Sequence, residues 1–139
     1  MNKLRKSQSG FSLVELMIVL VIIGILAAVG VPIYTGNIKK AKQSEADATM
    51  GMIRTQLRVY YAENATYPTN VVAATEDAVT DVTVLNFVAE NLTGKYFAAA
   101  SYTYLFETAT TFTLTCAQGS VLDADRTLDE AGTFAGGNS

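Results

Sequence analysis

The chain has 139 residues, half of them hydrophobic, with 10 basic and 13 acidic residues and a formal net charge of −3. An acidic balance argues against nucleic acid as a general partner, which needs a basic footprint, and leaves only local binding open. With no histidine and a single cysteine, Cys116, the chain has no Ser-His-Asp or Cys-His catalytic set and no intramolecular disulfide. Catalytic, cofactor-binding and metal-ligating residues are therefore all expected to be absent.

The first ten residues carry Lys3, Arg5 and Lys6 and no acid. Their removal would take three of the ten basic residues and none of the thirteen acidic ones, moving the net charge from −3 to −6. The 18 residues from Leu16 to Ile33 contain no charged or polar side chain. That is about the length at which an apolar run marks a membrane-spanning helix. One carboxylate, Glu15, stands at its entrance.

Three readings compete for this segment. A secretory signal peptide has the basic start and a small-x-small site at Ala28-Val29-Gly30. Its apolar run is usually only about 7–15 residues, however, and carries no acid. A plain anchor, basic end in the cytoplasm and the rest outside, explains the run. It leaves Glu15 without a partner, although an ionised group within a membrane costs about 2.5–3.5 kcal/mol at the centre and less near the interface. The third reading supplies the partner. A cut between Gly10 and Phe11 would create an amino group at Phe11, largely positive near neutrality. In a parallel stack of copies, Glu15 of one chain meets the Phe11 amine of the next, and a buried unpaired carboxylate disfavours leaving the stack.

The stretch from Lys6 to Tyr34, "KSQSGFSLVELMIVLVIIGILAAVGVPIY", resembles the N-terminal segment of type IV prepilins and of type II secretion pseudopilins. The resemblance is specific over residues 6–34 and weaker to about Asn70. It implies that Gly10 precedes the cleavage site and that Phe11 becomes the N-methylated terminus. It also implies that Glu15 is the assembly glutamate and that Pro32 kinks the helix. The implied partners are a prepilin peptidase, an inner-membrane assembly platform driven by a cytoplasmic ATPase, and other copies of the chain in a helical filament. The chain is then a substrate of enzymes and not an enzyme.

Beyond Pro32, Ala46, Met50, Ile53, Leu57 and Tyr61 recur at spacings of three or four, as a helix facing a core requires. A helix from Phe11 to Glu63 would have about 53 residues and a length of about 80 Å. Pro32 removes one hydrogen bond and crowds the Ala28 carbonyl, so a kink is expected there. In filaments of the resembled family the helix can melt nearby, and the composition from Gly24 to Pro32 would permit it. "ENATYPTN" (Glu63–Asn70) ends the helix. Val71–Gly94 is ambiguous between helix and strand, leaning towards a short helix or loop around Asn86–Leu92. Tyr102, Tyr104 and Phe106 then share one face of a strand, and Phe112, Leu114 and Cys116 share one face of the next. Thr108–Thr111 is the expected hairpin. "RTLDEAGTF" (Arg126–Phe134) offers a short third strand, a turn at Asp129–Gly132 and a stub at Thr133–Phe134, and Ala135–Ser139 reads as a mobile end.

The expected architecture is α+β: a basic leader (1–10), an apolar helix (11–33), an amphipathic helix (34–63), and an antiparallel-sheet head (64–139) packed on the helix. Cys116 is expected to be buried and inert. "DADRTLDE" (Asp123–Glu130) fails the EF-hand pattern, with Leu128 and Phe134 where Gly and Glu are required, and reads as a solvated turn. Phe11, Tyr34, Tyr60, Tyr61 and Tyr67 read as packing residues rather than a conducting path. Asn64-Ala65-Thr66 and Asn91-Leu92-Thr93 fit the glycosylation pattern at chance frequency. The expected function is a structural subunit of a type IV pilus, with adhesion and motility as candidate roles. Its location is the inner membrane and then the cell surface. The alternative is a pseudopilin of a type II secretion system in the periplasm.

Overall fold

A computed structural model describes residues 10–70 and 75–138. The basic leader side chains, the Val71–Ala74 part of the ambiguous stretch and Ser139 lie outside the described residues. The fold is α+β. Helix α1 spans Leu13–Asn64, 52 residues. Five short antiparallel strands follow: β1 (Asp77–Ala78), β2 (Tyr102–Thr108), β3 (Thr111–Cys116), β4 (Arg126–Asp129) and β5 (Phe134–Gly136). They form one sheet in sequential order. Between β1 and β2 lie one-turn 3-10 helices at Val79–Asp81, Thr83–Leu85 and Ala99–Ser101, and the short helix α2 (Ala89–Leu92).

The chain divides into two compact units, Met1–Asn37 and Ile38–Ser139. Within the second, Ala46, Met50, Ile53 and Leu57 are wholly buried. Their 4-3-4 spacing places them on one helical stripe, which meets the inward faces of β2, β3 and β4. Tyr102 and Tyr104 from β2, Phe112, Leu114 and Cys116 from β3, and Leu128 from β4 complete that surface. Phe106 is partly buried against it. Alternation with period two along β2 and β3 is what a sheet with one covered face requires. Each large side chain buried there contributes about 1.5–3 kcal/mol.

The helix ends as its sequence dictates. The Asn64 side chain donates to the Tyr60 carbonyl at 2.9 Å, and Ala65 takes a left-handed conformation (φ 55°), donating its amide to the Tyr61 carbonyl at 2.8 Å. That is a C-terminal cap made without glycine. The expected hairpin forms, with β2 closing at Thr108 and β3 opening at Thr111.

Two expectations need correction. The sheet has a fifth strand, β1, whose two residues pair with Thr103 and Tyr104. So short a strand leaves no alternating pattern to read. The C-terminal residues up to Asn138 are held rather than mobile. Ala135 and Gly136 pair with β4. The Asn138 amide donates to Gln43 Oε1 at 3.1 Å, and its side chain donates to the Lys39 carbonyl at 2.7 Å. Gly136 is required there: its φ is 69°, and a Cβ would overlap the Asp125 carbonyl.

Candidate functional site

The Gly10–Phe11 junction lies just before α1, in backbone without regular structure. Phe11 is 87% exposed, and no atom lies within 4 Å of the place a Gly10 Cβ would take.

Ser12 and Glu15 then start the helix together. The Ser12 amide donates to Glu15 Oε2 at 2.8 Å, and the Val14 amide donates to Ser12 Oγ at 3.3 Å. This is a variant of the S-x-x-E box in which the Ser12 hydroxyl caps the second-residue amide, and it satisfies two amide donors that the first turn leaves without partners. A carboxylate in the first turn also meets the positive end of the helix dipole. Glu15 thus has a local role as an acceptor for the Ser12 amide. The signal was present in the sequence as Ser12-Leu13-Val14-Glu15. The structure brings Glu15 to Ser12, and Phe11 lies one residue before the box.

From Leu13 to Tyr34 every residue of α1 is exposed. The helix has an apolar window long enough to cross a membrane, with none of that window buried. Pro32 lies inside α1. It cannot donate to the Ala28 carbonyl, while the Pro32 carbonyl accepts from the Thr35 hydroxyl at 3.0 Å.

In the head, Cys116 is fully buried, and burial pushes its thiol up to about 12, so it stays protonated. Burial likewise pushes the Tyr102 hydroxyl up to about 12. The Thr49 hydroxyl opposes that shift, but no well-aligned bond reaches the Tyr102 oxygen. Tyr104 is raised further by burial and donates to the Pro68 carbonyl at 2.7 Å. Tyr61, Tyr67 and Phe112 pack in sequence at 4.7 Å between centroids, the first pair tilted and the second edge-on, as core packing.

Three of the acids of Asp123–Glu130 have protein partners. Asp123 pairs with Lys39 at 2.9 Å. Asp125 accepts from the Gln118 amide at 2.7 Å, and Asp129 from the Thr133 amide at 2.7 Å. Among the described residues no group of three His, Cys, Asp or Glu is placed to hold a metal ion.

Sequence reasoning missed two polar residues that organise the head. Glu45, off the apolar stripe of α1, accepts from three consecutive backbone amides, those of Lys95 (3.1 Å), Tyr96 (2.8 Å) and Phe97 (3.0 Å). Gly94 makes room for it, since a Cβ there would overlap the carboxylate. Asn70 donates to Asp77 Oδ2 at 3.0 Å and to the Tyr104 carbonyl at 2.8 Å, and accepts from the Phe106 amide. Neither has a local sequence signal, because the partners lie 7 to 52 residues away.

Residues 5–31 match the model of the prokaryotic N-terminal methylation motif. The type II secretion system core protein G of Vibrio cholerae is 45% identical over 69 residues, 50% of this chain and 47% of that protein. The fimbrial protein EcpC of Eikenella corrodens is 35% identical over 91 residues, 66% of this chain and 60% of its own. The competence protein ComGC of Halalkalibacterium halodurans is 41% identical over 71 residues, 51% of this chain and 70% of its own. The chain spans about half the length of the secretion-system relatives it matches. No solved structure matches it.

Proposed function

The chain belongs to the family of type IV pilins and pseudopilins, and we propose that it is the structural subunit of a type IV pilus. It is made as a precursor, cut by a prepilin peptidase between Gly10 and Phe11, and methylated at Phe11. It waits in the inner membrane and is assembled there into a surface filament of its own copies. One observation carries this reading: an exposed apolar helix with a single carboxylate in its first turn. Lipid satisfies the apolar surface, but only a counter-charge satisfies the acid. The Phe11 amine of a neighbouring copy supplies one, with Glu15 as the registering acid and Pro32 as the place where the helix yields during packing. The chain acts as building material and not as an enzyme.

The relatives named for type II secretion favour a second reading, a pseudopilin confined to the periplasm. Those named as fimbrial proteins favour the first. Intact mass in two fractions separates them. A chain that begins at Phe11 and is one methyl heavier, recovered from sheared cell surface, is the expected result. The same species found only in the membrane would establish the pseudopilus instead. An uncut chain would overturn both.

A further inference from the structure

Among the described residues of the second unit, four large apolar side chains stay exposed: Met52, Val59, Val84 and Val88, each between 42% and 53%. A single exposed valine is ordinary. These four fall into two pairs on two separate elements, and the two surroundings are opposite in charge.

Met52 and Val59 belong to α1. Thr55, Val59 and Ala62 lie roughly half a turn around the helix from the buried stripe of Ala46, Met50, Ile53 and Leu57. Thr55, Arg58, Val59 and Ala62 line a shallow groove of about 310 Å³ there. The stretch Gly51–Ala62 has two basic residues, Arg54 and Arg58, and no acid. Arg54 donates to the Glu130 carbonyl. Among the described residues no carboxylate pairs with Arg58.

Val84 and Val88 belong to Val79–Gly94, which has two acids, Asp81 and Glu90, and no basic residue. Both acids are exposed, and among the described residues neither pairs with a cation. Asn86 turns the chain between the two valines with a left-handed φ of 58°, which asparagine tolerates. Val82, Leu85 and Leu92 pin the segment into the core.

Groove and segment cannot meet within one chain. The anchors of the segment join the core on the buried side of α1, and the groove opens on the opposite side. Two copies supply both surfaces. Like on like is disfavoured, since groove on groove sets Arg58 against Arg58 and segment on segment gathers four carboxylates. We infer that the Asp81–Glu90 segment of one copy seats its exposed valines on the Met52–Ala62 face of a second copy, with Arg58 meeting the acids. A contact between two different patches is head-to-tail and can repeat along a row of copies. Two valines and one shallow groove are small beside the roughly 1,200 Å² that separate partners bury in a stable complex. The contact therefore acts between copies already gathered by another interaction, and it sets their spacing and rotation.

The inference rests on the reading of the chain as a subunit assembled with its own copies, and the test separates the two. The full chain carrying Val59→Cys and Val88→Cys together is expressed in cells that process it. Intact cells are oxidised with copper phenanthroline before shearing. Cys116 is buried and stays silent. The expected result is a ladder of disulfide-linked multimers on a non-reducing gel. Each single variant should stay monomeric, and the two single variants expressed together should stop at dimers. Arg58→Glu should cut the cross-linked fraction about tenfold. Adding Asp81→Lys and Glu90→Lys should restore it, which misfolding of the first variant would not allow. Filaments of chains beginning at Phe11 without a ladder would overturn the contact and leave assembly standing. Dimers from Val59→Cys alone, or a link from it to a different polypeptide, would give the groove another occupant and overturn the inference. A ladder indifferent to charge reversal would overturn the match of Arg58 to the acids. A ladder confined to the membrane fraction would support the contact and overturn the surface pilus. Neither filament nor ladder would overturn both readings.

Discussion

Two stretches of the same helix, α1, obey different burial rules. From Leu13 to Tyr34 every side chain is exposed, including the run of large aliphatic residues from Leu16 to Leu20. From Ala46 to Leu57 one residue in each turn is wholly buried, and polar or charged residues fill most of the positions between. The later stretch resolves its apolar face within the chain, against β2, β3 and β4. The earlier one has no such face, because it is apolar all round, and a helix of that kind is stable only in lipid or among other helices. The difference shows that one continuous helix can serve an internal core and an external environment, with the sequence pattern switching from uniform to periodic.

The sharpest way to break that comparison is at Glu15, the one charge in the first stretch. Glu15→Gln keeps an acceptor for the Ser12 amide but removes the charge, while Glu15→Ala removes both. Both variants should still be cut after Gly10. Both should lower filament yield by two orders of magnitude or more, since stranding one partner of a buried ion pair costs about 3–5 kcal/mol. Sheared-surface protein, quantified by mass, checks this. Normal yield from the glutamine variant together with loss in the alanine variant would make Glu15 a helix cap and nothing more. Next in size is a paired truncation. Phe112→Ala, in the buried stack, should destabilise the head by about 3–5 kcal/mol. Leu20→Ala, on the exposed stretch, should leave the urea midpoint of the head unchanged. Equal losses would mean that the two stretches share one core.

How much of this was legible in the sequence follows the range of the interactions. Ala46, Met50, Ile53 and Leu57 announce a buried stripe because helical periodicity is local, and Tyr102 to Cys116 announce a hairpin for the same reason. Asp77–Ala78 does not announce a strand: two residues have no period, and pairing with Thr103 and Tyr104 is imposed from outside. The C-terminal Ala135–Asn138 reads as a glycine-rich tail, yet Ala135 and Gly136 pair with β4 and Asn138 bonds to Gln43 and Lys39, nearly a hundred residues earlier. At the candidate site, the Gly10–Phe11 junction and Glu15 stand out as a short motif. The Ser12–Glu15 box is equally local, spelled out by Ser12-Leu13-Val14-Glu15. Glu45 was invisible for the opposite reason, since its three amide partners lie 50 to 52 residues away.

Glu45 therefore gives the next prediction, smaller than the core truncation. Glu45→Ala should destabilise the head by about 1.5–3 kcal/mol, the worth of hydrogen bonds to a charged acceptor. It should also raise hydrogen exchange selectively at the Lys95, Tyr96 and Phe97 amides. Glu45→Gln, retaining one acceptor oxygen, should cost about half as much. A uniform rise in exchange would mean that the carboxylate supports the whole head rather than this loop.

The smallest effect belongs to the β4–β5 turn. Asp129 accepts from the Thr133 amide, which holds its carboxyl below the ordinary 3.8; desolvation opposes this, and the Thr133 hydroxyl and the Gly132 and Ala131 amides add to it. The folded state thus binds this proton less readily than the unfolded state. The contribution to stability is fully present above pH 3.8 and is lost as pH falls through the depressed folded value. Asp129→Asn keeps a neutral acceptor in place. It should lower the urea midpoint slightly at pH 7, by less than Glu45→Ala does, and the gap between variant and parent should close in strong acid. Other carboxylates titrate in the same range, so the informative quantity is the difference between the two chains, not either curve. A gap that persists unchanged into acid would mean that the turn depends on the shape of Asp129 and not on its charge. The second unit would then lose one of its electrostatic ties while keeping its core.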